Sequence, residues 1–380
     1  MVSAPREDRA VHVHDARSGE SAKGWLSTEI TTRAGHWSSY PITVARRVSR
    51  NFGPKLHGVD IVFASDLPPA AGLSSSSALI IATFLALAEA NDLRSRVEYS
   101  GSITTQEDLA GYLGAVENGS KFGQLAGDRG VGTQGGSQDH TAILCARPGR
   151  LVQYAFAPVR FERQLSWPND YVLVIASSGV VAAKTGNALD DYNRVAERAS
   201  VAFDLWRRDT ERRTRSLADM LTTSPDGIDE FRRIVAQWEN LRFSSDSLIA
   251  RVEQLRAELE IIRAVGDALE RGDVAALGAL IDRSQAHAER LLGNQVPETI
   301  ALARTARELG AAAASAFGAG FGGSVYALVR ASDAEAFRKT WAERYASEFS
   351  ERQADTSFFT TRAGPPATRL LPQAGADAPS

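Results

Sequence analysis

Leu67-Pro-Pro-Ala-Ala-Gly-Leu-Ser-Ser-Ser-Ser77-Ala78 lies between the branched, partly alternating run Val59-Asp-Ile-Val-Phe-Ala64 and a strongly apolar stretch, Ser75 to Glu89. The run reads as a strand and the stretch as a helix, so Asp66 to Ser74 is a loop that opens a helix. Helix starts leave backbone N–H groups without partners and carry partial positive charge. Small residues at Ala70, Ala71 and Gly72 let an anion approach the backbone closely, and the hydroxyls of Ser74 to Ser77 add donors and a candidate magnesium ligand. A nucleotide phosphate suits such a turn. A serine-capped helix after a tight loop is the competing reading, although one serine suffices for a cap. No G-x-x-x-x-G-K-[ST] segment occurs, which excludes a P-loop NTPase.

Outward from this loop, Gln106 to Glu117 reads as a second helix with Leu109, Tyr112, Leu113 and Val116 on one face. Gly127 to Gly136 is glycine-rich, and Leu151 to Phe156 and Tyr171 to Ala176 read as strands. Two long helical stretches, Asp191 to Arg212 and Ser247 to Leu269, flank a turn cluster at Thr222 to Ile228. Later come a helix (Pro297 to Leu309), a short strand (Ala313 to Phe317), the loop Gly318-Ala-Gly-Phe-Gly-Gly323, a strand (Ser324 to Val329) and a helix. That loop contains a formal G-x-G-x-x-G, but it precedes a strand, so it fails as a dinucleotide fingerprint and reads as a glycine hairpin. Val11 to His14 is a candidate strand with His12 and His14 on one face, and no third metal ligand is evident nearby. The irregular mixture of strands and helices favours an α+β fold. We expect two domains, 1–160 and 161–362, meeting near Pro158 to Pro168, and a poorly ordered end, 363–380, rich in Pro, Gly and Ala.

The chain has 380 residues, 43% hydrophobic and 23% charged, with a formal net charge of −3. That balance gives no electrostatic case for a nucleic-acid or membrane-surface protein. The single cysteine, Cys145, excludes an intrachain disulfide framework and a multi-cysteine zinc site. The longest nearly apolar run, Leu79 to Ala90, is too short for a membrane span of about 20 residues. Met1 to Arg17 carries no apolar signal stretch, so a reducing, cytoplasmic setting is expected. Oligomeric state and the role of Arg207 to Arg242 are not legible.

The serine loop resembles the second motif of the GHMP kinases, and its serines after Gly-Leu are most similar to the galactokinase branch of that family. The resemblance implies the GHMP kinase fold: an S5-domain-2-like N-terminal domain and a ferredoxin-like C-terminal domain. It implies ATP phosphates over Ala70, Ala71, Gly72, Leu73, Ser74, Ser75 and Ser76, with the Ser76 hydroxyl as a magnesium ligand. The family usually has Gly where Ala70 stands and Ala where Ser77 stands.

Glu117 ends a helix, where a carboxylate opposes the dipole; alone it reads most simply as a solvated surface residue. The Ala-Val-Glu-Asn context resembles the segment whose glutamate completes the magnesium site. Gly132-Thr-Gln-Gly-Gly-Ser-Gln-Asp139-His140 resembles the stretch that carries the catalytic aspartate, with Gln138 for Met and His140 for Gln. Without the resemblance, Asp139 is a first-turn carboxylate complementing a helix dipole. With it, Asp139 is the catalytic residue, and Gly136 and Asp139 contact the sugar. Tyr192, in Asp190-Asp-Tyr-Asn-Arg194, matches the tyrosine that touches the sugar, while alone it is equally a half-buried helix tyrosine. Gly318 to Gly323 resembles the third motif, with Ala319 for Gly and Ser324 where Cys is frequent. Ser284-Gln-Ala-His287 and Val296-Pro-Glu298 also resemble galactokinase surroundings, in structural roles.

The implied activity is ATP- and magnesium-dependent phosphorylation of the anomeric hydroxyl of galactose. A kinase for arabinose, N-acetylgalactosamine or a uronic acid, and a non-catalytic sugar and ATP sensor, are the alternatives. The family's opening segment, Gly-Arg-Val-Asn-Leu-Ile-Gly-Glu-His-Thr-Asp-Tyr, has no counterpart here, and the resemblance runs from about Val11, through Trp37-Ser-Ser-Tyr40, to Val329. The expectation is a truncated start, so that the first strands of the N-terminal domain are missing.

Overall fold

The computed structural model describes residues 1–370 except 34, 69, 157, 183–186, 211–215, 225 and 239–241, and the side chains of 187–189 also lie outside the description. Four strands form the N-terminal sheet: β1 (Val2–Pro5), β2 (Ala10–Asp15), β3 (Ser21–Trp25) and β4 (Val59–Phe63), in the order β1-β4-β2-β3. β2 runs parallel to β4, and the other pairs are antiparallel. Strand alternation sorts the faces. Val11, Val13, Val59 and Ile61 are buried, whereas His12 pairs with Asp60 (3.1 Å) and His14 with Ser21 (2.9 Å) on the other face. The two histidines therefore have separate partners, and no group of three His, Cys, Asp or Glu able to hold a metal occurs among the described residues. β1, unread in the sequence, is a fully exposed edge strand.

The helices of this half are α1 (Ser39–Phe52), α2 (Ser75–Ala90), the single turn α3 (Val97–Ser100), α4 (Gln106–Asn118) and α5 (Gln138–Leu144). α2 is apolar nearly all round, so its place is central: Ile80, Ile81, Phe84 and Leu87 are buried, and it packs on α1, α4, α5 and the sheet. Each such side chain contributes about 1.5–3 kcal/mol. α4 begins at a capping box, Thr105 with Asp108, and buries the face read from its periodicity: Leu109, Tyr112, Leu113 and Val116.

A hairpin, β5 (Arg150–Phe156) with β6 (Val159–Ser166), leads to the second domain. There β7 (Tyr171–Ser177), β8 (Ala313–Ala316), β9 (Ser324–Arg330) and β10 (Ser357–Thr361) form an antiparallel sheet in the order β10-β7-β9-β8. With α12 (Ala334–Glu348) between β9 and β10, and helices between β7 and β8, this is the split β-α-β-β-α-β arrangement of a ferredoxin-like domain. Those intervening helices are α6 (Asn187–Thr210), α7 (Leu217–Thr223), α8 (Gly227–Gln237), α9 (Ser245–Glu270), α10 (Val274–His287) and α11 (Pro297–Glu308). α6 to α9 enclose a core of their own around Trp206, Met220, Phe231 and Val252. The turn cluster read at Thr222 to Ile228 separates α7 from α8, and positions 211 and 212 of the expected first long helix lie outside the described residues.

The end expected to be poorly ordered from Ala363 onward makes specific contacts first. Ala363 O accepts from Gly149 N (3.2 Å), Ala367 N donates to Ile143 O (2.8 Å), and Arg369 pairs with Glu89 (3.0 Å). Composition hides the first two contacts because they use backbone groups. Positions 371–380 lie outside the described residues. No described helix is long and apolar enough to cross a membrane.

Candidate active site

The serine loop turns into α2 through two non-glycine residues in the left-handed region, Ala70 (φ 49°) and Ser74 (φ 57°), on either side of Gly72 (φ 71°). An L-residue there costs about 1–2 kcal/mol, so the surroundings must hold the turn. The C-terminal domain does this. Ala182 N donates to Ala70 O (2.9 Å), and the Ser324 hydroxyl donates to Ala71 O (2.7 Å). The 318–323 loop packs against the same turn: a Cβ on Gly72 would lie 3.6 Å from Gly323 Cα, and one on Gly318 would lie 3.1 Å from Gly72 O. That glycine loop does join β8 to β9, as a hairpin should, and it is also the clamp of the serine loop. Ser74 occupies the N-cap of α2 without a side-chain capping bond, so its hydroxyl does not serve the cap that the competing reading required. Leu73, Ser74 and Ser76 are half-buried, Ser75 is exposed and Ser77 is fully buried.

Glu117 is 3% exposed, so it is not the solvated residue that a helix end suggests. The Ser77 hydroxyl donates to Glu117 Oε2 (3.2 Å), and His140 Nε2 lies 3.5 Å from that same oxygen. The serine placed on the glutamate is thus Ser77. Ser76, the expected metal ligand, sits one residue earlier on the less buried side, because a helix turns about 100° per residue. One carboxylate with neighbouring hydroxyls is a set of hard oxygen donors, which fits a magnesium ion that keeps waters and phosphate oxygens.

Asp139 lies half-buried in the first turn of α5, beside His140. Through His140, Glu117 and Ser77, the aspartate's helix and the serine helix meet at one carboxylate. The glycine-rich segment before Asp139 is fixed from several sides. Asp128 accepts from Arg46 Nε (2.8 Å) and Arg47 Nη1 (3.4 Å), and Arg46 Nη2 donates to Gly130 O (2.8 Å). Both arginines are buried, and desolvation holds the Arg47 guanidinium below its usual range while Asp128 opposes that shift. Val131 N donates to Glu117 O (2.9 Å), and Asn118 Nδ2 to Gly135 O (2.8 Å). Asn193 joins α6 to the segment by accepting from Gln134 N (2.9 Å) and donating to Gly132 O (3.0 Å).

Tyr192 stands over this segment: a Cβ on Gly135 would lie 2.4 Å from its hydroxyl. A Cβ on Gly136 would lie 2.3 Å from the Phe156 ring, so an aromatic of the β5–β6 hairpin fills its Cβ direction while the residue itself stays exposed. A cavity of about 260 Å³ lies there, lined by Gly136, Ser137, Phe156, Phe122 and Lys121 among others. The sequence pointed to Tyr192, Glu117 and Asp139 but not to their supports. Asn118 and Asn193 each follow a singled-out residue directly, whereas Arg46, Arg47 and Asp128 carry no local signal.

Two family models match the chain: the GHMP kinases N terminal domain over residues 39–146 and GHMP kinases C terminal over 267–347. A galactokinase of Roseiflexus sp. is 26% identical over 347 residues, 91% of this chain and 79% of the relative. A galactokinase of Streptomyces coelicolor is 28% identical over 318 residues, 82% of this chain and 71% of the relative. Among solved structures, Lactococcus lactis galactokinase complexed with galactose superposes with a TM-score of 0.75 at 21% identity, covering 97% of this chain and 86% of that one, which shows the shared fold. Each half of the molecule answers to its own half of one family, and the halves meet where the serine loop is clamped: the chain belongs to the GHMP kinases, phosphotransferases with an alcohol group as acceptor.

Proposed function

We propose that this kinase transfers the γ-phosphoryl group of ATP to the anomeric hydroxyl of galactose, giving galactose 1-phosphate. The triphosphate lies over Ala70 to Ser76, where N–H groups at the start of α2 and small residues receive it. The Asp139 carboxylate takes the proton of the acceptor hydroxyl as that oxygen bonds to the γ-phosphorus and the bond to the ADP oxygen breaks. Gly136 and Tyr192 lie on the acceptor side. Ser76 and Glu117 would hold Mg2+, which supplies charge neutralisation at the phosphate oxygens. Orientation and fixed electrostatics carry most of the rate, as phosphoryl transfer requires little covalent chemistry from the protein.

The observation that carries this reading is the contact run from α5 through His140 and Glu117 to Ser77, which brings the Asp139 helix to the serine loop. Relatives named galactokinase, and a similar fold solved with galactose, support the choice of sugar. A free cysteine, Cys145, and ATP as co-substrate fit a cytoplasmic setting. The test is a sugar panel in a coupled ADP-release assay with and without Mg2+. Galactose should give the fastest Mg2+-dependent turnover. Faster turnover with arabinose, N-acetylgalactosamine or galacturonate would replace the substrate. Binding of ATP and galactose without ADP release would replace the enzyme with a sensor.

A further inference from the structure

Three buried side chains from three helices converge on one atom. Ser77 of α2 and His140 of α5 are 0% exposed, and Glu117 of α4 is 3% exposed. Glu117 Oε2 accepts the Ser77 hydroxyl at 3.2 Å and faces His140 Nε2 at 3.5 Å. A carboxylate removed from water needs donors, and an imidazole nitrogen 3.5 Å away is electrostatically attractive when it carries the proton. Ser77 directly follows Ser76, and His140 directly follows Asp139, so these contacts also fix the backbone of the two residues that face the reactants. Both are positions where the motif stretches depart from the family pattern given above, alanine and glutamine respectively. The chain has therefore placed an added hydroxyl and an added imidazole beside a single oxygen.

Resting on the reading of Glu117 as the cation-holding carboxylate, we propose that Ser77 and His140 are positioning residues that lock the Glu117 side chain for the divalent cation. A glutamate has three side-chain torsions, and one fixed before binding loses less freedom when the cation arrives. The hydrogen-bond partners of a ligating carboxylate set metal affinity by about 10–100-fold in comparable sites. Neither residue touches the reactants, so their removal acts on the cation first and on nucleotide binding only through it.

The test titrates Mn2+ into the purified full chain saturated with ADP, following free Mn2+ by electron paramagnetic resonance. ADP affinity without metal is measured in parallel by calorimetry. Ser77→Ala should weaken Mn2+ binding about 10-fold, and His140→Gln about 3-fold to 10-fold, with metal-free ADP affinity within about 2-fold of the wild type. Ser77→Thr, which keeps the hydroxyl, should recover most of the loss. The double variant should lose less than the product of the single losses, because both groups act on one oxygen. Unchanged Mn2+ affinity in Ser77→Ala overturns the proposal, as does an equal loss of Mn2+ and metal-free ADP binding, which marks a merely structural role. Ser77→Ala removes one oxygen atom and keeps the fold, so its result decides if His140→Gln melts early. A wild-type chain that binds ADP but no Mn2+ overturns the assignment of Glu117 itself, an outcome distinct from variants that match a Mn2+-binding wild type.

Discussion

The loop at Ala70 to Ser77 and the loop at Gly127 to Asp139 both contact Glu117, yet they are held by opposite means. The first carries no charged residue and is gripped from the other domain, by Ser324, by Ala182 and by backbone-to-backbone packing of Gly72 against Gly318 and Gly323. Its strain lies in two left-handed non-glycines. The second is fastened within its own domain by a buried ion pair, Asp128 with Arg46 and Arg47, and touches the other domain at Tyr192 and Asn193. The serine loop therefore depends on how the domains sit together, whereas the glycine-rich loop depends on an electrostatic core within its own domain.

Four changes break or sharpen the contrast. Asp139→Asn should lower kcat by about 10²–10⁴ while ATP still binds, because it removes the proposed proton acceptor and leaves both loops in place. Near-normal turnover in that variant would take Asp139 out of the mechanism. Asp128→Ala leaves two buried guanidiniums without their carboxylate and should destabilise the N-terminal domain by about 3–5 kcal/mol, read from chemical denaturation. A loss below about 1 kcal/mol would show that the pair is dispensable to the second loop. Ser324→Ala strips a donor from the buried Ala71 carbonyl and should cost about 1–3 kcal/mol, with the KM for ATP raised severalfold and that for the acceptor little changed. Equal shifts in both would mean that the domain contact serves the whole cleft. Ala70→Gly relieves the left-handed strain but loosens the unfolded chain, so a net gain of about 0.5–1 kcal/mol in stability is expected. A loss there would place the strain elsewhere in the turn.

How much of this was legible follows from the distance over which each feature is determined. The serine loop, α2 and the inner face of α4 depend on neighbours within a few residues, and periodicity and turn chemistry report them. α1 was not legible. Arg46, Arg47 and Asn51 interrupt its apolar pattern, yet all three are buried, the arginines satisfied by Asp128 about 80 residues away in sequence. The choice between Ser76 and Ser77 as the glutamate's partner was equally out of reach, since it turns on the rotation of α2 against α4. Tyr192 could be singled out, but its partner Gly135 could not, because only the packing of α6 on the glycine-rich segment sets one against the other.

The stretch Ala363 to Arg369 leaves the last strand of the C-terminal sheet and touches the first domain at Gly149, at Ile143 on α5 and at Glu89 on α2. It is a covalent tether that rests at Ala367 on the helix that carries Asp139 and at Arg369 on α2. Anyone shortening this protein at Arg362, where composition turns to Pro and Ala, would cut that tether and let the aspartate's helix lose its backbone partner at Ala367.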